Sequence, residues 1–499
     1  MSGDRLGSWL TLLSVALCLG PPLAVALEGL GAPPAAALTA PLAALALFAL
    51  GWRRIPPLPL ALARRHPAAA ALWILVLAAA AFGGVRASLY ARDATQPRHS
   101  VDPGDAFRVE HCCMTAYAEA ARFAAEGVDN PYARDLYRPG GEPRRLGPLT
   151  VDPFHYPPPF LLLPGAVRAV APDFFDTRRV WFGLQALVLG AALLGLARWV
   201  GGEEGRRVAL GAALVWALPS TFLGLQFGNF QLTAIPMALA GCWLGWSASR
   251  PRTGGALLAF AALGKVFPCL LALHVLGGRR WRFVAWLTAW GAAFALLTLA
   301  LYGWAPFDGF FRHELPRLAS GASFPQSEQP SGILVNQSFY GITTKLRALG
   351  LDALDAAAGK RLSQLYALLV AAAAVAAGRR LAREGEAVDG RDRLRRAVTW
   401  LAILNLASFA GPFVGGGYGN WGTLWLIVLL WALAGSRVAR WSWLAALLPV
   451  GAPIFVLPSP TDRAALTTGL LLLALVAPLA GLALNAAALR LARRPAPAG

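Results

Sequence analysis

The sequence predicts an all-α polytopic membrane protein. Three observations carry that prediction. Of 499 residues, 57 % are hydrophobic and only 14 % are charged, with a mean hydropathy of +0.53. A single soluble core cannot hide that much apolar surface, whereas a bilayer interior is itself apolar. Apolar runs close to the roughly 20 residues needed to cross a bilayer recur along the whole chain. The net charge is +19 and nearly all arginine, because lysine occurs only at Lys265, Lys345 and Lys360. On a soluble protein such a charge would suggest nucleic acid. Here the basic residues sit between apolar runs and follow the positive-inside rule, so no nucleic-acid partner is expected.

The elements follow in order. Residues 8–29 form the first run, which Pro21 and Pro22 interrupt and which also resembles a signal peptide at Ala24-Val25-Ala26. A second span covers 36–52, and Arg53, Arg54, Arg64 and Arg65 after it read as cytoplasmic. Residues 1–66 thus form an additional N-terminal pair ahead of the main membrane domain, 67–490, with a cytoplasmic tail at 491–499. Residues 68–88 cross outward. An outer loop follows over 89–177, holding acids from Asp93 to Glu142, a helix near 108–127 and a short proline-led interfacial helix that ends at Ala171. Loops of this length in membrane proteins are usually functional. Further spans are expected at 178–199, 207–224, 229–249, 282–302, 361–378, 397–414, 419–435, 441–457 and 464–490, about 12 in all. A second outer loop covers 303–360. Residues 254–277 have basic flanks at both ends and Gly264-Lys265-Val266-Phe267-Pro268 in the middle, which predicts a re-entrant hairpin lining a cavity.

Several residues in this layout could carry chemistry. Lys265 stands near mid-membrane, where a lone ammonium needs an anion or water. It suits a phosphate clamp for a lipid-linked substrate, or more plainly a snorkelling lysine. On a helix over 108–127, Glu110, Cys113 or Met114, and Tyr117 share a face, so Glu110 is a candidate general base. His111 points roughly 100° away on such a helix and ranks lower, and Asp102 and Asp105 stand in a turn as further candidates. The amides of Gln226 and Asn229 could bind sugar hydroxyls, or Asn229 could simply cap a helix. The cysteines Cys18, Cys112, Cys113, Cys242 and Cys269 show no metal or disulfide spacing and read as small apolar residues. No Walker, dinucleotide, HExxH or GxSxG motif is present, so soluble-nucleotide chemistry is not indicated and no cofactor is expected.

The motifs also line up in order with a known family. They are Tyr117-x-x-Ala120-Ala121, Gly127-x-x-Asn130-Pro131-Tyr132, Phe154-x-Tyr156-Pro157-Pro158, Gly228-Asn229, Ala262-Leu263-Gly264-Lys265-x-x-Pro268, Leu315-Pro316 and Asn336-Gln337-Ser338. Together they resemble the polyprenyl-phosphate-mannose-dependent membrane mannosyltransferases of glycosyltransferase family 87, over roughly residues 67–490. The resemblance implies a GT-C fold. It also implies inverting transfer of a hexose from a polyprenyl-phosphate donor to a lipid or glycan hydroxyl at the outer face of a bacterial plasma membrane. By the same resemblance, Tyr117, Tyr156, Asn229, Asn336, Gln337 and Tyr418 are candidate substrate-binding residues. The chain departs from the family in two places. Cys113 stands where the family usually has an Asp, and the stretch from Gly411 to Asn420 lacks the expected histidines. Arg312 and His313 in the second outer loop could fill that gap beside Lys265 as donor-phosphate groups. Glu110, Asp105 and His111 are the candidate catalytic acids and bases. A non-catalytic transporter or flippase of a lipid-linked sugar is the alternative; it would need the phosphate site but no base, and no inverted repeat is visible in the sequence.

Overall fold

The structure is a computed structural model that describes residues 3–33, 35, 39–40, 67–457, 460 and 462–493. Most of the expected span 36–52, the basic stretch Arg53 to Arg65 and the end of the tail lie outside the described residues. The chain divides into two compact units. One comprises Met1–Pro236 with Phe294–His313, the other Met237–Ala293 with Glu314–Gly499.

In the first unit, α1 (Gly3–Gly29) and α2 (Pro67–Arg92) precede the outer loop. The loop contains α3 (Ala106–Glu110), α4 (Cys113–Ala125), a two-residue hairpin of β1 (Arg145–Leu146) and β2 (Leu149–Thr150), and the short helix α5 (Leu162–Val170). Helix α6 (Phe174–Val200) begins at Asp173, whose carboxylate accepts the N–H groups of Phe175 and Asp176 and so caps the first turn. Packing of α1 on α6 depends on small residues. A Cβ at Gly190 would come 2.9 Å from Leu19, and one at Gly29 would come 2.8 Å from the Asp176 carbonyl. Small residues let helix backbones approach where lipid supplies no hydrophobic driving force. After α6 come α7 (Gly202–Ala217) and α8 (Pro219–Phe227), bent by 60° at Leu218 because Pro219 lacks an N–H and opens a new helix. Gly228 ends α8 in the left-handed region (φ 64°), and α9 (Gln231–Cys242) follows, passing from the first unit into the second.

The second unit contains α10 (Pro251–Gly264) and α11 (Cys269–Gly277) with a four-residue break at Lys265–Pro268. Helix α12 (Trp281–Tyr302) passes back to the first unit. The remaining helices named here are α13 (Phe339–Ala348), α14 (Ala356–Arg383), α15 (Gly390–Ser408), α16 (Trp421–Leu433) and α17 (Thr468–Leu491). Helix α11 packs on α14, and α15 packs on α16 and α17.

Five helical segments among the described residues are long and apolar enough to cross a membrane: Ala70–Arg92, Phe174–Val200, Trp281–Tyr302, Ala356–Arg383 and Thr468–Leu491; the bent α7–α8 pair would make six. Among the described residues that makes a helical membrane protein with five or six full-length apolar helices, the expected span 36–52 lying largely outside them. Three of the other expected spans are shortened or broken. The expected span at 419–435 is the 13-residue α16. The one at 207–224 breaks at Pro219. The one at 441–457 splits into Arg437–Ala445 and Leu447–Val456. Hydropathy reports apolar runs, but proline decides where a helix can continue.

Candidate active site

The outer loop does not form one helix over 108–127. Between α3 and α4, His111 and Cys112 are extended (ψ 132° and 106°), and His111 forms a parallel bridge with Thr150 of β2. Histidine and cysteine are weak helix formers, so the chain leaves the helix here to pair with β2. Glu110 and Tyr117 therefore do not share a helical face. Glu110 instead makes an exposed ion pair with Arg145 (2.7 Å). Asp105 caps α3 by accepting the Arg108 N–H (3.2 Å), and its carboxylate lies 3.4 Å from the Arg108 guanidinium, which also binds Asp102 (2.7 Å). These carboxylates hold the turn together.

The break brings a different set of groups into line. His111 Nδ1 lies 3.1 Å from Asp152 Oδ2, and His111 Nε2 lies 3.4 Å from Cys113 Sγ. Burial alone would lower the His111 pKa, but the Asp152 carboxylate and Cys113 outweigh it and hold the imidazole well above its ordinary 6.5. The ring stacks on Phe107 at 4.7 Å and takes the edge of Phe227 at 4.6 Å. Thr115 fixes the geometry from α4: its hydroxyl donates to the Cys112 carbonyl (2.6 Å) and accepts the Asp152 N–H (3.2 Å). Cys113 is therefore not a small apolar filler, because its sulfur also receives the Asn229 Nδ2–H at 3.1 Å.

Two tyrosines complete the cluster. The Tyr117 and Tyr156 hydroxyls are 2.7 Å apart, and burial raises both pKa values, so both stay protonated. Tyr117 Oη also accepts the Phe230 N–H (3.3 Å). The Tyr132 hydroxyl donates to the Tyr156 carbonyl (2.9 Å), and Tyr156 lies on Phe160 at 4.8 Å. Asn229 Oδ1 accepts the Gln231 N–H (2.9 Å), the capping role weighed for it above. The turn before it is tight: a Cβ on Gly228 would come 3.0 Å from Met114. Gln226 is buried with its amide fully engaged. It accepts the Val101 N–H (2.8 Å) and donates to Ser100 Oγ (3.0 Å) and the Arg108 carbonyl (2.7 Å). It fastens the turn that carries α3.

His111, Cys113 and Asp152 form a group, among the described residues, whose metal-ligand atoms lie within 4.8 Å of one another. The imidazole meets Asp152 through Nδ1 and Cys113 through Nε2, so the three side chains form a hydrogen-bonded chain.

The other expected residues are distributed as follows. Arg312 is 81 % exposed and paired with Asp308 at 3.0 Å, with the half-buried His313 beside it. In the second unit Lys265 is half-buried at the α10–α11 break, and Tyr418 is half-buried ahead of α16. Asn336 and Gln337 are fully buried and bind the chain itself. Asn336 Oδ1 accepts the Ser338 and Val414 N–H groups (3.0 Å each), and its Nδ2 donates to the Pro412 carbonyl (3.0 Å). Gln337 Oε1 accepts from Asn420 Nδ2 (3.3 Å). Their amides fasten the 336–338 turn to the stretch after α15. Buried amides must be satisfied, and here backbone groups and the Asn420 amide satisfy them.

Residues 154–390 match the model of glycosyltransferase family 87. This is the family that the ordered motifs resembled, and a membrane glycosyltransferase is the activity it implies. No curated protein and no solved structure matches the chain. The family 87 match covers residues 154–390 and takes in Tyr156, Gln226, Asn229, Lys265 and the 336–338 turn, while Asp152 lies just before it and His111 and Cys113 lie further upstream. Asp152 was not singled out from the sequence. Its one local signal is its place next to the Phe154–Tyr156 motif, in Val151-Asp152-Pro153.

Proposed function

We propose that the chain transfers a hexose, mannose first among the sugars, from a polyprenyl-phosphate donor to a hydroxyl of a lipid or glycan acceptor. Transfer would occur at the outer face of a bacterial plasma membrane, with inversion at the sugar C1. The observation that carries this reading is the cluster in the first unit. It sets a carboxylate-held imidazole, a thiol and two tyrosine hydroxyls against aromatic rings, beside the motif where the family match begins. Hydroxyls and amides hydrogen-bond sugars, aromatic faces stack on them, and the loop supplies a proton acceptor. Lys265 is the proposed ammonium for a lipid-linked phosphate, on its place at a helix break within an apolar stretch. Arg312 and His313 are secondary candidates for the same charge.

The test is transfer in proteoliposomes from radiolabelled polyprenyl-phosphate mannose to extracted cell-envelope lipids and glycans, with wild type, His111→Asn and Lys265→Ala. Transfer by wild type that both variants lose supports the reading. Tight donor binding with no transfer from any prenyl-phosphate sugar would favour the transporter.

A further inference from the structure

We propose that Cys113 is the group that takes the acceptor's proton, with His111 and Asp152 positioning and polarising its sulfur. This rests on the transferase reading above and names its base. Three features of the first unit converge on Sγ. Cys113 is the first residue of the 13-residue α4, where unpaired N–H groups and the helix dipole favour an anion. Asn229, only 1 % exposed, aims its Nδ2–H at the sulfur from 3.1 Å. His111 Nε2 lies 3.4 Å away, and Asp152 holds the far side of the same ring at 3.1 Å. A base oriented by a carboxylate and pointing at a thiol is the arrangement that activates sulfur.

The surroundings leave this role to the sulfur. Cys112, Tyr117 and Tyr156 are the other titratable groups around it, and burial keeps all three protonated. The Arg178 guanidinium acts on Cys112. Glu110 is paired with Arg145, and Asp102 and Asp105 with Arg108.

The step balances. A lone pair of the acceptor oxygen forms the new bond to the sugar C1. The old C1–O bond breaks with its electron pair going to the prenyl phosphate. The acceptor's proton moves to Cys113 Sγ, and its O–H pair stays on oxygen. The step consumes no oxidant or reductant.

Two measurements test this. The first needs no substrate: the difference in ultraviolet absorbance between the purified full-length protein and Cys113→Ser, read in the thiolate band across pH. A thiolate signal at neutral pH that His111→Asn removes is expected; absence of the signal from wild type overturns the proposal. The second is transfer in proteoliposomes. Cys113→Ala should lose transfer by about 10²–10⁴-fold, the range for removal of a general base. Cys113→Asp, which restores a proton acceptor, should recover most of it with an inverted product. Wild-type rates in Cys113→Ala, a retained anomeric configuration, or a sugar bound covalently to Cys113 would each overturn the proposal. If wild type transfers nothing while the thiolate signal is present, the transferase reading fails and the base assignment falls with it, although the charged cluster stands.

Discussion

Gln226→Ala tests whether the cluster is held by the amide that fastens its turn. The side chain makes three hydrogen bonds, to the Val101 N–H, Ser100 Oγ and the Arg108 carbonyl, at 2.8, 3.0 and 2.7 Å. It is 2 % exposed, so water does not replace it freely. A buried hydrogen bond contributes about 1 kcal/mol net, and orphaned partners cost about 1–3 kcal/mol each. Taking the lower figure for all three, the segment carrying α3 loses about 3 kcal/mol of protection against local opening. At about 1.4 kcal/mol per tenfold, that is about a hundredfold. Hydrogen exchange of the full-length protein in detergent, read by mass spectrometry on peptides spanning 98–112, should show that acceleration. Peptides from α15 and α16 should not change. Gln226→Glu should fall between the two, because it still accepts the Val101 N–H but sets an oxygen against the Arg108 carbonyl. Exchange in 98–112 that stays within about threefold of wild type in Gln226→Ala would refute the reasoning. The turn would then be held by its own ion pairs.

Glu110→Gln should retain transfer, and its melting temperature should barely change, because an exposed pair of this kind contributes about 0–1 kcal/mol; loss of transfer in that variant alone would return Glu110 to the role of base. The His111 imidazole gains stability from Asp152 that is fully present below the ordinary histidine range and is lost as pH rises through its raised pKa. Melting curves of wild type and His111→Gln should therefore differ most at acidic pH and converge at alkaline pH. Lys345 is fully buried against the Asn336 and Gly341 carbonyls, and burial pulls its pKa down to about 7. The unfolded chain then binds the extra proton between about pH 7 and the ordinary lysine value near 10.4, so stability should rise with pH across that window. Lys345→Met should flatten the rise and melt higher than wild type at neutral and acidic pH; an unchanged pH profile would show that the ammonium is better solvated than its burial implies. Asn336→Ala should destabilise the protein by about 3 kcal/mol through the three hydrogen bonds it removes, measured as earlier denaturation in urea-containing detergent.

The membrane class was legible because composition alone decides it. The span count was not. A run such as 419–435 is apolar throughout, yet its helix is 13 residues long, and nothing in hydropathy separates a short buried helix from a spanning one. Within the site, Tyr117, Tyr156 and Asn229 were legible as motif residues and His111 as a candidate base ranked below Glu110, and the structure brings the four together. Gln226 was legible as an amide between two apolar runs, and Asn336 as a motif residue. An amide there reads equally well as a ligand contact or as a fastener, and three-dimensional neighbours decide between them. Cys113 was discounted because a free buried cysteine is usually packing. Its polar partners come from 116 residues away in Asn229 and from two residues away across a break in the helix.

That break creates the site. Had residues 108–127 been one helix, His111 and Cys113 would point about 200° apart, since successive residues turn by about 100°. Because Cys112 is extended, residues 111 and 113 fall on the same side of the chain, as every second residue does in a strand. The extension exists because His111 pairs with Thr150, and the same pairing brings Asp152, two residues beyond Thr150, to the imidazole. One long-range bridge thus produces both hydrogen bonds of the chain, Asp152 to His111 and His111 to Cys113. Its dependence on β2 is specific enough to separate from general stability. Replacing Thr150 with Pro, which distorts the strand at the bridge, should abolish the His111-dependent part of the pH–stability profile while leaving the Glu119–Arg122 ion pair within α4 in place. A variant that kept the His111 titration would mean that α4 alone orients the ring.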